Sequence, residues 1–122
     1  MLRSSACGLV VLSLIVPRAF AGEADVVEAR IVPEASGTYR FDVTVRHDDE
    51  GWGHYADGWE IVAPDGSVLA TRTLLHPHVD EQPFTRSLSG VELPQGISEV
   101  TIRAHDKVHG YGGEEVAVPI PN

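Results

Sequence analysis

The sequence predicts an all-β fold, a seven-stranded antiparallel β-sandwich. Three observations lead there. Apolar and polar residues alternate with a period of two, most strictly from Thr38 to His47. Turn residues recur at intervals of roughly ten residues, the spacing expected of short strands in a sandwich. No stretch carries a convincing helical period.

The strands follow in order. Val26 to Val32 is apolar and β-branched and stops at Pro33; a proline there predicts an edge strand, because it cannot donate to a ladder. After a Ser36-Gly37 turn, Tyr39, Phe41, Val43, Val45 and His47 share one face of a second strand, and Thr38, Arg40, Asp42, Thr44 and Arg46 the other. Gly58 to Ala63 forms the third, with Trp59 and Ile61 on one face. Pro64-Asp65-Gly66 is a hairpin turn, and Ser67 to Leu75 returns as the fourth strand. Phe84 to Val91 is a weaker fifth. Leu93-Pro94-Gln95-Gly96 turns the chain into Ile97 to Ala104, where Val100, Ile102 and Ala104 point inward. Glu114 to Ile120 is the last strand.

Residues 1–21 are expected to lie outside this fold. Met1 to Ser5 includes Arg3, Ala6 to Val16 is an apolar run, and Ala19-Phe20-Ala21 has the small-x-small form of a cleavage site. This is the layout of a secretory signal peptide, cut after Ala21. The run is too short to span a bilayer, which needs about 20 apolar residues. The division is therefore 1–21 signal peptide and 22–122 β-sandwich domain, with no membrane span in the mature chain. Removing the leader takes away Arg3, Arg18, Cys7 and Met1, so the formal charge moves from −9 to −11 and no thiol or thioether remains. The mature domain then has no disulfide, and its core must hold it alone. Asn122 is the only asparagine, so no Asn-x-Ser/Thr acceptor site exists. Together these features favour a bacterial periplasm. The acidic balance argues against nucleic acid as a partner, since phosphate binding needs a basic surface.

Loop composition points to function. In an antiparallel run alternate connections fall at opposite ends. Pro33 to Gly37, Pro64 to Gly66 and Glu92 to Gly96 are short, generic turns at one end. Asp48 to Asp57, His76 to Pro83 and His105 to Gly113 are long and gather at the other. All six histidines, His47, His54, His76, His78, His105 and His109, lie in these long loops or on the strand end entering them. Loops on a rigid scaffold are where binding residues concentrate.

The segments Gly51-Trp52-Gly53-His54-Tyr55, His76-Pro77-His78-Val79-Asp80-Glu81-Gln82-Pro83-Phe84 and Val108-His109-Gly110-Tyr111-Gly112-Gly113 resemble a family of small exported bacterial β-sandwich proteins. The resemblance implies export and the sandwich fold and assigns no activity. In strand number and order the chain is similar to a fibronectin type III domain, with Trp59 placed as the buried tryptophan of immunoglobulin-like sandwiches. It is also similar in size to a periplasmic copper-resistance sandwich, but the N-terminal histidine ligand of that family is replaced here by Gly22-Glu23.

His76-Pro77-His78 is the sharpest candidate metal motif. Pro77 holds His76 extended, and residues two apart in an extended segment point the same way. His105 and His109 are candidate ligands to complete the set, and His47 caps the inward face of the second strand as either a ligand or a core histidine. Asp80, Glu81 and Asp106 are expected to orient rings or ligate. His54, between Trp52 and Tyr55, is expected in aromatic packing. Trp52, Tyr55, Trp59, Phe84 and Tyr111 are expected to form one rigid lid. Asp48-Asp49-Glu50 reads as a solvated turn, and Arg86, in phase with Phe84 and Leu88, as a buried arginine paired to Asp57 or Glu81.

A ligand set of imidazole and carboxylate suits copper(II), zinc or nickel. Calcium is disfavoured, because no acidic loop has its alternating oxygen spacing. The sequence therefore predicts a periplasmic protein binding copper(II) or zinc through the histidine pole. The alternative is a module binding a periplasmic protein or small ligand through the same loops. An enzyme is the weakest reading, for want of a serine or cysteine nucleophile in a recognisable setting.

Overall fold

A computed structural model describes residues 22–122; the leader expected at 1–21 lies outside the described residues. The described chain is all-β: β1 (Asp25–Pro33), β2 (Tyr39–Arg46), β3 (Ala56–Val62), β4 (Val68–Thr73), β5 (Phe84–Val91), β6 (Glu99–Asp106) and β7 (Val116–Pro119). They form two antiparallel sheets, β1-β2-β5 and β4-β3-β6-β7, which pack as a sandwich. β1 is an edge strand, as its terminal proline requires.

The core follows the alternation in the sequence. Phe41, Val43 and Val45 of β2 are fully buried, as are Trp59 and Ile61 of β3 and Val100, Ile102 and Ala104 of β6. Phe84 and Val91 close the core from β5. Glu60, on the outer face of β3, is also buried, because Arg103 of β6 reaches across the sheet to pair with its carboxylate.

Two boundaries differ from expectation in a way that matters. β3 begins at Ala56, and β6 runs on through His105 to Asp106. The register pairs Ala56 with Asp106, so the strand end, not a loop, carries His105 and Asp106. β7 is shorter than expected. Its pairing with β6 covers only Ile102 to Glu99.

The pole is set by register. Asp25 lies beside Arg46 in the β1–β2 pair, and Val45 beside Phe84 in the β2–β5 pair. Gly58 lies beside both Thr73 and His105 in the other sheet. The start of β1, the three long loops and the end of β6 therefore share one end of the sandwich, and all six histidines are there.

Candidate metal centre

The alternation of β2 does not stop where the strand does. Phe41, Val43, Val45, His47 and Asp49 are all buried, with exposed or half-buried residues between them. The inward face thus continues four positions past its last apolar side chain, Val45, and ends on an acid. Asp49 Oδ1 accepts from His47 Nδ1 at 2.6 Å and from the Ala56 amide at 3.0 Å. Its Oδ2 accepts from the His78 amide at 2.7 Å. One carboxylate therefore ties the β2–β3 loop to the start of β3 and to the β4–β5 loop. Asp49 is not part of a solvated turn; its buried carboxyl group accepts from three donors.

With Nδ1 donating to Asp49, His47 turns Nε2 toward the β2–β3 loop. There it meets His54 Nε2 at 3.2 Å and the Gly22 carbonyl oxygen at 2.8 Å. His54 is held the same way. Its Nδ1 lies 2.7 Å from Glu50 Oε1, one carboxylate orienting each ring. The Glu50 bond, the largest influence, raises the His54 pKa above its ordinary value, and the nearby Gly22 carbonyl and Asp106 reinforce it against the opposing effect of burial.

Asp106 closes the group from the end of β6. Its Oδ1 lies 3.3 Å from His54 Nε2 and accepts from the amides of Val108 and His109 at 2.9 and 2.8 Å. His109 Nδ1 adds a bond at 3.1 Å. Burial pushes the Asp106 carboxyl up, but the His109 and Val108 amides and the His109 ring outweigh it and hold the pKa below its ordinary value. Its other oxygen, Oδ2, is buried with no partner. The turn that presents His109 closes by paired Asp106–Gly110 backbone bonds of 3.0 and 3.1 Å. Gly110 takes φ +72° there, a conformation costly for residues with a Cβ.

One ligand atom each from His47, His54 and Asp106 lies within 4.8 Å of the others. With each Nδ1 donating to a carboxylate, the two Nε2 atoms face each other, the Gly22 carbonyl oxygen against one and Asp106 Oδ1 against the other. Acceptors crowded round one point are satisfied only by a proton or a cation. His54 and His109 have edges toward solvent, so the point is reachable from outside.

The other histidines are placed elsewhere on the pole. His76 and His78 do face each other, with ring centroids 4.7 Å apart, as the spacing predicts. But His78 Nε2 accepts from Arg86 Nη2 at 2.8 Å, and its ring stacks on Phe84 at 3.9 Å. A nitrogen bound to a guanidinium is closed to a metal ion. The remaining Nδ1 is buried without a partner. Burial, the largest influence, lowers the His78 pKa, and Arg86 and His76 lower it further. His105 stands apart again, its Nδ1 2.6 Å from Asp57 Oδ1 and its ring edge-on to Tyr111.

The structure does not bring His76, His78 and His105 together with His47 or His109. Asp80 and Glu81 line an open cleft with His76 and Trp52. Arg86 is half-buried and pairs with Glu81 at 3.3 Å; the alternative partner, Asp57, is taken by His105. Nor do the aromatics make one lid. Trp59 and Phe84 belong to the core and Tyr55 is buried, while Trp52 is 66% exposed and Tyr111 40%. Tyr111 lies under the Arg103 guanidinium, 4.2 Å from its ring centroid. His54 touches Trp52 and Tyr55 only as a sequence neighbour; its ring packs on His47 and His109.

A protein of Halomicrobium mukohataei named "Putative lipoprotein" is 42% identical to this chain over 96 residues, 79% of this chain and 47% of that protein. The chain thus spans about half the length of that curated relative. No family model and no solved structure matches the chain.

Proposed function

We propose that this is an exported protein that binds one divalent transition-metal ion, copper(II) or zinc, through His47 Nε2, His54 Nε2 and the Asp106 carboxylate. The observation that carries the reading is the pair of Nε2 atoms facing each other at 3.2 Å, each ring held at Nδ1 by its own carboxylate. At metal–nitrogen distances of roughly 2.0–2.1 Å, two nitrogens so separated subtend about 100° at the ion, suited to tetrahedral or cis positions. Imidazole and carboxylate without thiolate favour zinc or copper(II). The net charge of −9 adds attraction for cations. Export rests on the leader-like residues 1–21 and on the naming of the relative as a lipoprotein; cleavage after Ala21 and a periplasmic destination belong to the same proposal.

Calorimetric titration of copper(II) and zinc into tag-free, chelator-treated protein at pH 7.5 tests the reading. The expected result is one site tighter than micromolar, weakened at least a hundredfold by His54→Ala. No binding tighter than micromolar, or unchanged binding by the variant, overturns it.

A second reading has its own observation. An open cleft of about 560 Å³ runs between Trp52 and residues 76–81, with Trp52 and Val79 largely exposed on its rim. Such a surface suits a protein or small-ligand partner, and metal-independent retention of a periplasmic partner, lost in Trp52→Ala, would favour it.

A further inference from the structure

Gly22 lies inside the candidate centre. The Gly22 carbonyl oxygen is 2.8 Å from His47 Nε2. The Gly22 Cα lies so close to His109 that a Cβ there would fall 2.0 Å from its Cε1 and 2.7 Å from both ring nitrogens. A side chain at position 22 would have to push the His109 ring aside.

The segment is also seated. Ala24 is fully buried, and a Cβ on Gly113 would fall 2.1 Å from the Ala24 carbonyl oxygen. Asp25 Oδ1 accepts from the Glu114 amide at 2.8 Å, and the Val26 amide donates to the Glu114 carbonyl at 2.9 Å. The glycine-rich end of the β6–β7 loop is thus a groove for residues 22–24. Its glycines leave room for Glu23, Ala24 and Asp25 beside them.

Gly22 follows Ala19-Phe20-Ala21 directly. Taking the metal reading above as its basis, we propose that leader removal completes the metal centre, the freed α-amine of Gly22 becoming a ligand beside His47 and His54. Hydrolysis by an export peptidase breaks the Ala21–Gly22 C–N bond. Water supplies the oxygen of the Ala21 carboxylate, and the nitrogen leaves as an amine with an ordinary pKa of about 7.7–8.0. Its lone pair replaces that of an amide, which is delocalised into the carbonyl and binds a metal ion only after the amide loses its proton, so the amine is the better neutral ligand. Amine nitrogen and carbonyl oxygen of one residue close a five-membered ring on a metal ion, so Gly22 can bind through both atoms. Before cleavage the centre has only the side-chain ligands and the carbonyl; after it, a further nitrogen. High-affinity binding would then be confined to the processed, exported protein.

The test expresses the full chain with its own leader and isolates the exported product, whose intact mass is expected to start at Gly22. Among the described residues the core runs from Ala24 to Ile120, so a second protein that keeps Ala21 ahead of Gly22 is expected to fold with the same unfolding midpoint. That extra residue converts the Gly22 amine to an amide and moves the terminus by about 3.8 Å. Copper(II) and zinc are each titrated into both, and the electron paramagnetic resonance spectrum of the copper(II) form is read for bound nitrogens. The product starting at Gly22 is expected to bind at least tenfold tighter and to show one nitrogen more. Equal affinity with identical spectra, or an exported product starting elsewhere, overturns the ligand role of Gly22 while leaving the side-chain centre standing. Binding of neither copper(II) nor zinc by either protein overturns both.

Discussion

Two pairs of histidines share this pole and differ in what holds their ring nitrogens. His47 and His54 each donate Nδ1 to a carboxylate and turn Nε2 toward the other. His76 and His78 lie equally close ring to ring, but His78 takes a proton donor, Arg86, on Nε2 and rests on Phe84. The first pair leaves two Nε2 atoms facing each other, each free of any guanidinium or ammonium donor, where a proton or a cation can sit. The second pair is a prop, fixing the β4–β5 loop to β5. Proximity of imidazoles is thus a weak criterion for a metal site. The partner of the opposite nitrogen decides, because it sets which atom carries the lone pair and where it points.

The largest effect expected from breaking this arrangement is at Asp49, which serves both pairs. Asp49→Ala strands the His47 ring, the Ala56 amide and the His78 amide in a buried site. Losing a buried charged partner of several donors costs roughly 3–5 kcal/mol. Denaturant unfolding of the chelator-treated variant measures it. A loss under about 1 kcal/mol would mean that the carboxylate is hydrated and the two loops are not joined through it.

The next effect separates prop from ligand. His78→Ala removes the Phe84 stack and the acceptor for Arg86, and should cost about 2 kcal/mol in metal-free unfolding. His76, exposed and bonded only weakly to its neighbour's carbonyl at 3.2 Å, should cost under about 1 kcal/mol, as surface changes do. Neither variant should shift metal affinity more than threefold. A hundredfold loss in His76→Ala would move the metal to the second pair and invert the comparison.

The fold was readable in the sequence because each strand advertises itself locally. Phe41-x-Val43-x-Val45 specifies an inward face, and Pro64-Asp65-Gly66 a turn. The pole was readable too, since antiparallel order alone sends the three long loops to one end. The centre was less so. His47 and Asp106 are 59 positions apart in the sequence, and their meeting depends on the Ala56–Asp106 register between β3 and β6. His76-Pro77-His78 drew attention because its spacing is compact, yet Arg86, eight residues on, occupies the ring nitrogen that the motif offers. One signal was present. The period of two in β2 runs through His47 to Asp49, so a buried acid two residues beyond an inward histidine was legible as its partner. Segment 22–24 carries no pattern of its own; its seat is written in the glycines at positions 112 and 113.

The smallest effect is also the one that tests the comparison without altering a residue. In the metal-free protein one ring of each pair, His54 and His78, should titrate in opposite directions from the ordinary histidine value of about 6.5. His54 is raised, chiefly by the bond to Glu50. The folded state therefore binds its proton more tightly than the unfolded chain does. Its contribution to stability is complete below the unfolded pKa and is lost as pH rises through the folded one. His78 is lowered, chiefly by burial. Here the unfolded chain binds the proton more tightly, so stability is undiminished above about pH 6.5 and falls as pH drops toward the folded pKa. Proton resonances of the ring carbons, followed from pH 5 to 8 with chelator present, should place the His54 midpoint above 6.5 and that of His78 below it. The stability deficit of His54→Gln should be larger at pH 5.5 than at pH 8, and that of His78→Gln smaller. Midpoints on the same side of 6.5 would mean that Glu50 and Arg86 do not hold the two rings in different states, and the distinction between ligand and prop would lose its physical basis.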